Sequence, residues 1–200
     1  RQTVARLAEM GDPRKEAPTI VGRPTDSKKF LRSYALVDIE TGKAVGTKTR
    51  FQVRWDDEGA VIFEIKCDEP DMKNLYVTDD VWTGDSIAIQ LETQGHAYYQ
   101  IEVNPDGKIF DADRHDRLNQ RWKSNATVET ERGADFWSVV VRIPVVDAEE
   151  GAADPNHHVV GATPGMDSPW YMNVGRTRVR PSGKITWSFP HTSKPSYHVP

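Results

Sequence analysis

Short alternations of apolar and polar side chains dominate the chain from about residue 34 onward. Residues 49–55 alternate in this way, Asp-Asp-Glu-Gly at 56–59 is typical of a turn, and the apolar segment 60–67 follows. A period of two places every second side chain on the same side of a β-strand. We therefore predict a β-hairpin over residues 49–67, with Cys67 as a small buried packing residue.

The same signal recurs along the rest of the chain, interrupted by turn-forming residues such as Asn-Pro-Asp-Gly at 104–107. Helical periodicity is weak, and it predicts a short helix at 1–10 and a single turn within 145–151. The further predicted strands are, in chain order, 86–91, 96–103, 108–112, 126–131, 135–143, 170–179 and 184–189.

This succession of short strands and turns predicts an all-β fold, an antiparallel two-sheet β-sandwich of jelly-roll or immunoglobulin-like type. Residues 1–33 are predicted to form a short helical or extended lead-in, a linker or the tail of a preceding domain. Residues 34–200 form the predicted sandwich domain. The polar segment 151–169, rich in Pro and Gly, has the length of a functional loop.

Composition and charge exclude several classes of function. The formal net charge is −4, so no broad basic field attracts nucleic acid or an anionic membrane. No run of about 18 apolar residues is present, so no membrane span is predicted. The first residues lack a signal-peptide pattern, and we interpret the sequence as a piece of a longer protein. A single cysteine rules out an intrachain disulfide.

Six motifs, taken in order, carry a resemblance to a known family. They are VRWDDEGAVIFEIKCDEP, VWTGDSIAIQLE, YYQIEVNPDGKIFDA, FWSVVVRIPV, WYMNVGRTR and ITWSFP, and together they cover roughly residues 35–190. This series resembles the strands and turns of family 9 carbohydrate-binding modules. The resemblance implies a carbohydrate-binding sandwich appended to a bacterial polysaccharide-degrading enzyme, with a neighbouring catalytic domain as partner. It also implies a secreted, periplasmic or cell-surface location.

Aromatic side chains are the first place to look for a sugar site, because aromatic rings pack on the apolar faces of sugar rings. By resemblance, Trp82 matches one wall of the family's aromatic clamp, and Trp187 matches a tryptophan that is mostly structural. The stretch that holds the second wall is HTSKPSY, which offers His191 and Tyr197. Asp68 matches an acid that contacts sugar.

Two other family positions differ here. Ala88 stands where the family has a Glu that binds sugar hydroxyls, and Glu102 stands where it has an Arg that does so. We therefore consider a different polar set, consisting of Glu102, Asn104, Arg176 and Arg178. The arginines have a simpler interpretation, a solvated strand face paired with neighbouring carboxylates.

The remaining tryptophans divide into two groups. Trp122 lies in an irregular segment, where it is either exposed to a ligand or anchors the loop to the sheet. Trp55, Trp137 and Trp170 stand at strand ends and are predicted to lie in the core.

Structural calcium is a candidate cofactor, with Asp68, Asp71, Asp111 and Asp113 as candidate ligands, although no EF-hand spacing is present. His157 and His158 are interpreted as surface residues. The predicted function is a non-catalytic carbohydrate-binding accessory domain, and no catalytic residue is assigned. Two alternatives stay open: a structural sandwich that packs on a catalytic domain, and a glycoside hydrolase that uses Asp111 and Asp113 as its carboxylate pair.

Overall fold

The computed structural model describes residues 37–38, 43, 45–94, 98–115, 118–164, 170–182 and 185–189, the last segment by its backbone. The predicted lead-in at 1–33 and the helix predicted within it lie outside the described residues.

The first hairpin forms as predicted from strands β2 (Thr49–Trp55) and β3 (Ala60–Asp68). Thr49 pairs with Cys67 and Trp55 with Val61, so the apolar side chains of both strands share one side. Gly59 closes the turn with a φ of 83°, a left-handed conformation that favours glycine. The carboxylate of Asp56 accepts hydrogen bonds from the Glu58 and Ala60 amides, which fixes the register.

The first hairpin belongs to a five-stranded sheet with the strand order β2-β3-β8-β7 and a short strand β9 beside β8. The β8–β9 pair is parallel and the other pairs are antiparallel. The remaining strands of this sheet are β7 (Thr127–Arg132), β8 (Phe136–Val146) and β9 (Val159–Val160).

The second sheet has six antiparallel strands in the order β1-β11-β10-β4-β5-β6. Two 3₁₀ turns, Met72–Asn74 and Val81–Thr83, lie between β3 and β4 along the chain. The strands are β1 (Val37–Asp38), β4 (Ser86–Glu92), β5 (Tyr99–Val103), β6 (Ile109–Asp113), β10 (Tyr171–Val179) and β11 (Ile185–Phe189).

The core lies between the two sheets, so the predicted all-β sandwich is confirmed. Alternate residues of β4 and β10 contribute to one continuous apolar cluster with the inward residues of β3 and β8. The predicted core residues Trp55, Trp137 and Trp170 are all buried, and Trp55 meets Trp170 edge to face at 5.2 Å. Cys67 is also buried, and burial raises the pKa of its thiol to about 11, as expected of an unreactive packing residue.

The region after β8 differs in detail from the prediction. Strand β8 continues to Val146, and helix α1 (Ala148–Ala153) begins only where the Asp147 carboxylate accepts hydrogen bonds from the Glu149 and Glu150 amides. The predicted loop 151–169 therefore contains the end of a helix and strand β9. No helix within the described ranges is long and apolar enough to cross a membrane.

Candidate functional site

Polar side chains line the face of the six-stranded sheet that points away from the core. Ala88 in β4 pairs with Gly175 on one side and with Glu102 on the other. In the next row Gln90 pairs with Asn173 and with Gln100. Directly paired residues project to the same side of a sheet. We call the set Gln90, Gln100, Glu102, Asn173 and Arg114 the polar face; its small central residues are Ala88 and Gly175.

A chain of charge-assisted hydrogen bonds orders one side of the polar face. The amide of Gln100 donates to Glu102 Oε1 at 2.7 Å, and Arg114 Nε donates to Gln100 Oε1 at 2.8 Å. Gln100 and Glu102 are buried, whereas Arg114 is partly accessible. Because Gln100 donates to a carboxylate and accepts from a guanidinium, its amide has one satisfied orientation, and it positions the Arg114 side chain.

Trp82 lies at the rim of the polar face in the 3₁₀ turn Val81–Thr83, which packs against β5 and β6. Its half-buried indole meets Phe110 edge to face, with the ring centroids 4.7 Å apart. Arg114 lies over the same indole, with Cζ 5.6 Å from the ring centroid, which is within cation–π range. Phe110 pairs with Glu102 across the strands, so the aromatic rim and the polar face are continuous.

The loop that carries Trp82 is held at both ends. The Tyr76 amide donates to Asp85 Oδ2 at 2.7 Å, and the Asp85 amide donates back to the Tyr76 carbonyl at 2.7 Å. Between them, the Thr78 hydroxyl meets the Thr83 hydroxyl at 2.8 Å. Asn104 contributes from outside the loop, donating to the Thr78 carbonyl at 3.0 Å. These contacts fix the turn that presents the indole.

A second polar group lies on the opposite, core-facing side of β10. Arg176 Nη2 donates to Glu69 Oε2 at 3.0 Å, and Arg178 forms a bidentate pair with the same carboxylate at 2.8 Å for each bond. Arg180 bonds both Glu69 and Asp85. We call these five residues the arginine cluster. Because Glu69 follows β3 and the arginines extend along β10, the cluster joins the two sheets.

The electrostatics of the cluster follow from its charge pattern. Although burial raises the pKa of Glu69, the hydrogen bonds and positive charge of Arg178 and Arg180 hold it at about 2. Asp85 has one neighbouring arginine contact and the charge of Glu69 nearby, so burial prevails and raises its pKa. Glu69 is therefore the carboxylate that the cluster stabilises most in its ionised form.

The predicted site residues separate into several places. Trp82 and Glu102 lie together at the polar face. Arg176 does not join them, because its position in the alternation of β10 directs it to the core side, where it also donates to the Asp68 carbonyl at 3.0 Å. Arg178 follows it. The expectation of a solvated strand face for these arginines is wrong for Arg176, which is buried, although their pairing with a carboxylate is correct.

Three more predicted residues serve as structural contacts. Asp68 pairs with Arg50 in the first hairpin at 2.6 Å. The Asn104 side-chain oxygen accepts the Asp106 and Lys108 amides and so closes the β5–β6 turn. Trp122 is buried, not exposed.

Trp122 anchors its loop to the sheet, which is the second of the two interpretations that the sequence allows. It stacks on Tyr99 at 4.8 Å and donates from its indole to the His158 carbonyl. The backbone of Trp187 lies in β11 opposite Thr177. His191 and Tyr197 fall outside the described residues.

The candidate calcium ligands do not form a binding cluster. Within the described ranges, no group of three His, Cys, Asp or Glu side chains converges on a point that could hold a metal ion. Asp71 accepts from the Asn74 amide group, and Asp113 accepts from the His115 backbone. Asp111 is bonded by the hydroxyl and backbone amide of Ser124, and burial raises its pKa. These carboxylates therefore do not fit the oxygen-rich shell that calcium requires.

Sequence reasoning missed Gln100, Phe110 and Arg114. Phe110 and Arg114 continue the alternation of β6 through Ala112, so they follow from extending the strand pattern by one more outward position. The dense acidic residues around Arg114 are typical of a metal-binding segment instead.

The fold and the polar face together define a class of protein, a β-sandwich in which buried polar side chains line one sheet face and Trp82 and Arg114 form its partly accessible rim. Neither a protein-family model nor any curated protein matches this sequence. Solved structures do match, and they give the chain the fold of family 9 carbohydrate-binding modules.

One match is a family 9 module from Caldicellulosiruptor kristjanssonii in complex with cellotriose, with 12% identity over 85% of this chain and 77% of that one, at a TM-score of 0.54. The same kind of module in complex with glucose gives 12% identity over 85% and 79%, also at 0.54. A proposed carbohydrate-binding protein from Bacteroides uniformis gives 14% identity over 100% and 88%, at 0.55. At these identities the likeness is one of fold.

Proposed function

We propose that this chain is a non-catalytic carbohydrate-binding accessory domain of a larger, secreted polysaccharide-degrading enzyme. The observation that carries the proposal is Trp82, a half-buried indole held by Phe110 and Arg114 at the rim of the polar face. The fold supports the same conclusion, since matching structures are modules in complex with glucose and cellotriose.

The chemistry of the polar face suits a sugar. An indole face packs on the C–H groups of a sugar ring, while planar carboxylates, amides and guanidinium groups exchange hydrogen bonds with its hydroxyls. Of Glu102, Gln100 and Arg114, the guanidinium group of Arg114 is the partly accessible one, and the buried Gln100 and Glu102 support it within a single hydrogen-bonded series. Because Gln100 holds Arg114 Nε before binding, less side-chain entropy is lost when a ligand docks on Arg114.

Calorimetric titration of the chain with glucose and cellotriose tests the proposal, with Trp82→Ala as the decisive variant. We expect binding by the natural chain and loss of at least about tenfold in affinity for the variant, the usual scale for removing an aromatic anchor. Phe136→Ala is the matched control, because Phe136 is a half-buried aromatic with Lys66 Nζ 3.6 Å over its ring, but on the other sheet. That control is expected to bind as the natural chain does.

The result would contradict the proposal if neither saccharide, nor a panel of insoluble polysaccharides, bound to the natural chain. The secreted context is tested separately by fractionating cells that make the full-length protein. The enzyme context is tested by expressing the chain together with its neighbouring domain and measuring polysaccharide hydrolysis. Loss of hydrolysis of insoluble but not soluble substrate on deletion of residues 34–200 is the expected outcome.

No observation favours the two alternatives. The exposed large apolar side chains of the described residues are Tyr76 and Leu118, which form no extended docking patch. Asp111 is tied to Ser124, so it does not form an acid pair with Asp113 across a sugar-sized cleft.

A further inference from the structure

Arg114 differs from the other arginines in its partners. Nine arginines lie in the described ranges, and seven of them form ion pairs with carboxylates. Arg121, one of the other two, is exposed. Arg114 is the half-buried arginine that has no carboxylate partner among the described residues.

The contacts of Arg114 occupy one part of the guanidinium group. Nε donates to Gln100 at 2.8 Å, and the cation lies over the indole of Trp82. Its charge also acts on the phenol of Tyr98, where burial raises the pKa and the guanidinium opposes that rise. Nη1 and Nη2 make no hydrogen bond with any described group. A guanidinium group held by Nε keeps paired Nη donors, which match the two oxygens of a carboxylate.

We propose that Arg114 makes the polar face selective for acidic saccharides, in which a sugar ring that packs on Trp82 carries a carboxylate bound by the Nη donors of Arg114. This inference rests on the proposed function, and it names the class of ligand. A neutral sugar leaves the cation with hydroxyl oxygens alone, whereas a uronic acid gives it a charged acceptor. Hydrogen bonds between two ionised groups are roughly twice as strong as neutral ones.

The overall charge of the chain makes this selectivity a local effect. The formal net charge is −4, so the long-range field does not attract an anionic polysaccharide. Near the rim, Lys108 is neutralised by Asp79 at 2.9 Å, and Glu102 is bonded by Gln100. A preference for acidic sugar therefore depends on Arg114 itself and responds to its substitution.

The experiment compares methyl β-glucuronide with methyl β-glucoside, two ligands that differ only in the carboxylate at C6. We expect the natural chain to bind the glucuronide about tenfold more tightly at low salt, with the ratio falling as salt is added. In Arg114→Gln the ratio is expected to fall close to one, and in Arg114→Lys, which keeps the charge without the fork, to an intermediate value. Arg121→Gln is the matched control and should keep the natural ratio.

Each outcome decides the inference. Equal binding of the two glycosides by the natural chain, or a ratio unchanged in Arg114→Gln, overturns it and leaves the proposed function intact. Failure of both glycosides and of cellotriose to bind overturns the proposed function and the inference together. Acetate binding as tightly as the glucuronide also overturns it, because the site would then recognise a carboxylate without a sugar. The salt dependence and the glycoside ratio of the natural chain stand even where a variant fails to fold.

Discussion

The two sides of the six-stranded sheet use arginine in opposite ways. On the core side, Arg176, Arg178 and Arg180 converge on Glu69, whose carboxylate is fully enclosed. On the outer side, Arg114 is positioned by an amide and an aromatic ring and meets no carboxylate of the described chain. A guanidinium group whose donors are engaged by protein stabilises the fold, whereas one with spare donors is available to a ligand.

The alternation of side chains along a strand decides on which side of the sheet a residue lies. Arg176 pairs with Ile87, a core residue, whereas its neighbour Gly175 pairs with Ala88 on the polar face. A shift of one residue in register would exchange the two sides. Asp85 connects the two regions, since its carboxylate binds Arg180 in the arginine cluster and the Tyr76 amide in the loop that carries Trp82.

The largest effect is expected from breaking the arginine cluster with Glu69→Gln. The variant keeps the size of the side chain but removes the charge that three guanidinium groups share, leaving buried positive charge uncompensated. We expect a loss of about 3–5 kcal/mol in the free energy of unfolding, measured by urea denaturation. Asp79→Asn, which removes the surface pair with Lys108, is the control and should leave the unfolding midpoint unchanged.

A loss in Glu69→Gln no greater than in the control would show that the cluster adds no stability. Arg176, Arg178 and Arg180 would then not stabilise the fold, and they would not differ from Arg114 in that respect.

Acid titration sharpens the same contrast. The folded pKa of Glu69, about 2, lies below the ordinary value of 4.5, so its stabilising contribution is complete above pH 4.5 and is lost as the pH falls towards 2. We expect the difference in unfolding free energy between the natural chain and Glu69→Gln to be constant near neutrality and to shrink over this window. The raised pKa of Asp85 acts with the opposite sign and affects both chains.

A difference that stayed constant down to pH 2 would contradict the assignment of the stabilising charge to Glu69. Chemical denaturation at a series of pH values provides both curves.

The junction between the two regions is tested by Gly84→Ala. A Cβ at Gly84 would lie 2.8 Å from the Tyr76 carbonyl oxygen and 3.2 Å from the Thr78 amide nitrogen, both backbone atoms that cannot easily move. We expect a loss of about 1–3 kcal/mol, with weaker saccharide binding because the Trp82 turn is displaced. Gly46→Ala is the control, since a Cβ there meets nothing within 4 Å. Equal stability of the two variants would show that the loop is not held as tightly as the contacts indicate.

Much of the fold follows from the sequence because the strands are strongly patterned. The hairpins around Asp56 and Asn104 are marked by turn residues whose side chains cap the backbone, and alternation then fixes which residues face inward. The end of β8 was less predictable. The pattern around Ile143-Pro144 resembles a strand end, yet β8 continues to Val146, where the parallel partner β9 pairs with it. A parallel partner that lies over ten residues away along the chain leaves no local signal.

The site could be predicted only in part, for a related reason. Trp82 and Glu102 are predicted as site residues because each stands in a recognisable motif, and the structure places both at the polar face. The position of Arg176 is not predictable in this way, because the sequence shows that an arginine lies on a strand but not which carboxylate of the other sheet lies opposite. Its partner Glu69 is separated from it by more than a hundred residues, and their contact depends on how the two sheets stack. Arg114 was missed because its role depends on Gln100, a neighbour across the sheet.

A smaller loss of stability than in Glu69→Gln is expected from Gln100→Met on the polar face. Methionine nearly preserves the volume of the side chain and removes the hydrogen bonds to Glu102 and Arg114. Net contributions of hydrogen bonds to charged groups amount to about 1.5–3 kcal/mol. Ligand selectivity should change more than stability, because Arg114 loses the acceptor that positions it. We therefore expect the glucuronide-to-glucoside affinity ratio to fall while the fold persists.

Gln94→Met is the matched control for this variant. Gln94 is an exposed amide that bonds the backbone of Ala162, outside the polar face, so its loss should leave the affinity ratio unchanged. If Gln100→Met lost as much stability as Glu69→Gln, both sides of the sheet would be equally structural. If it kept the natural ratio, Arg114 would not depend on Gln100 for its position. A small loss of stability with a large loss of selectivity is the outcome that separates a structural arginine cluster from a binding face.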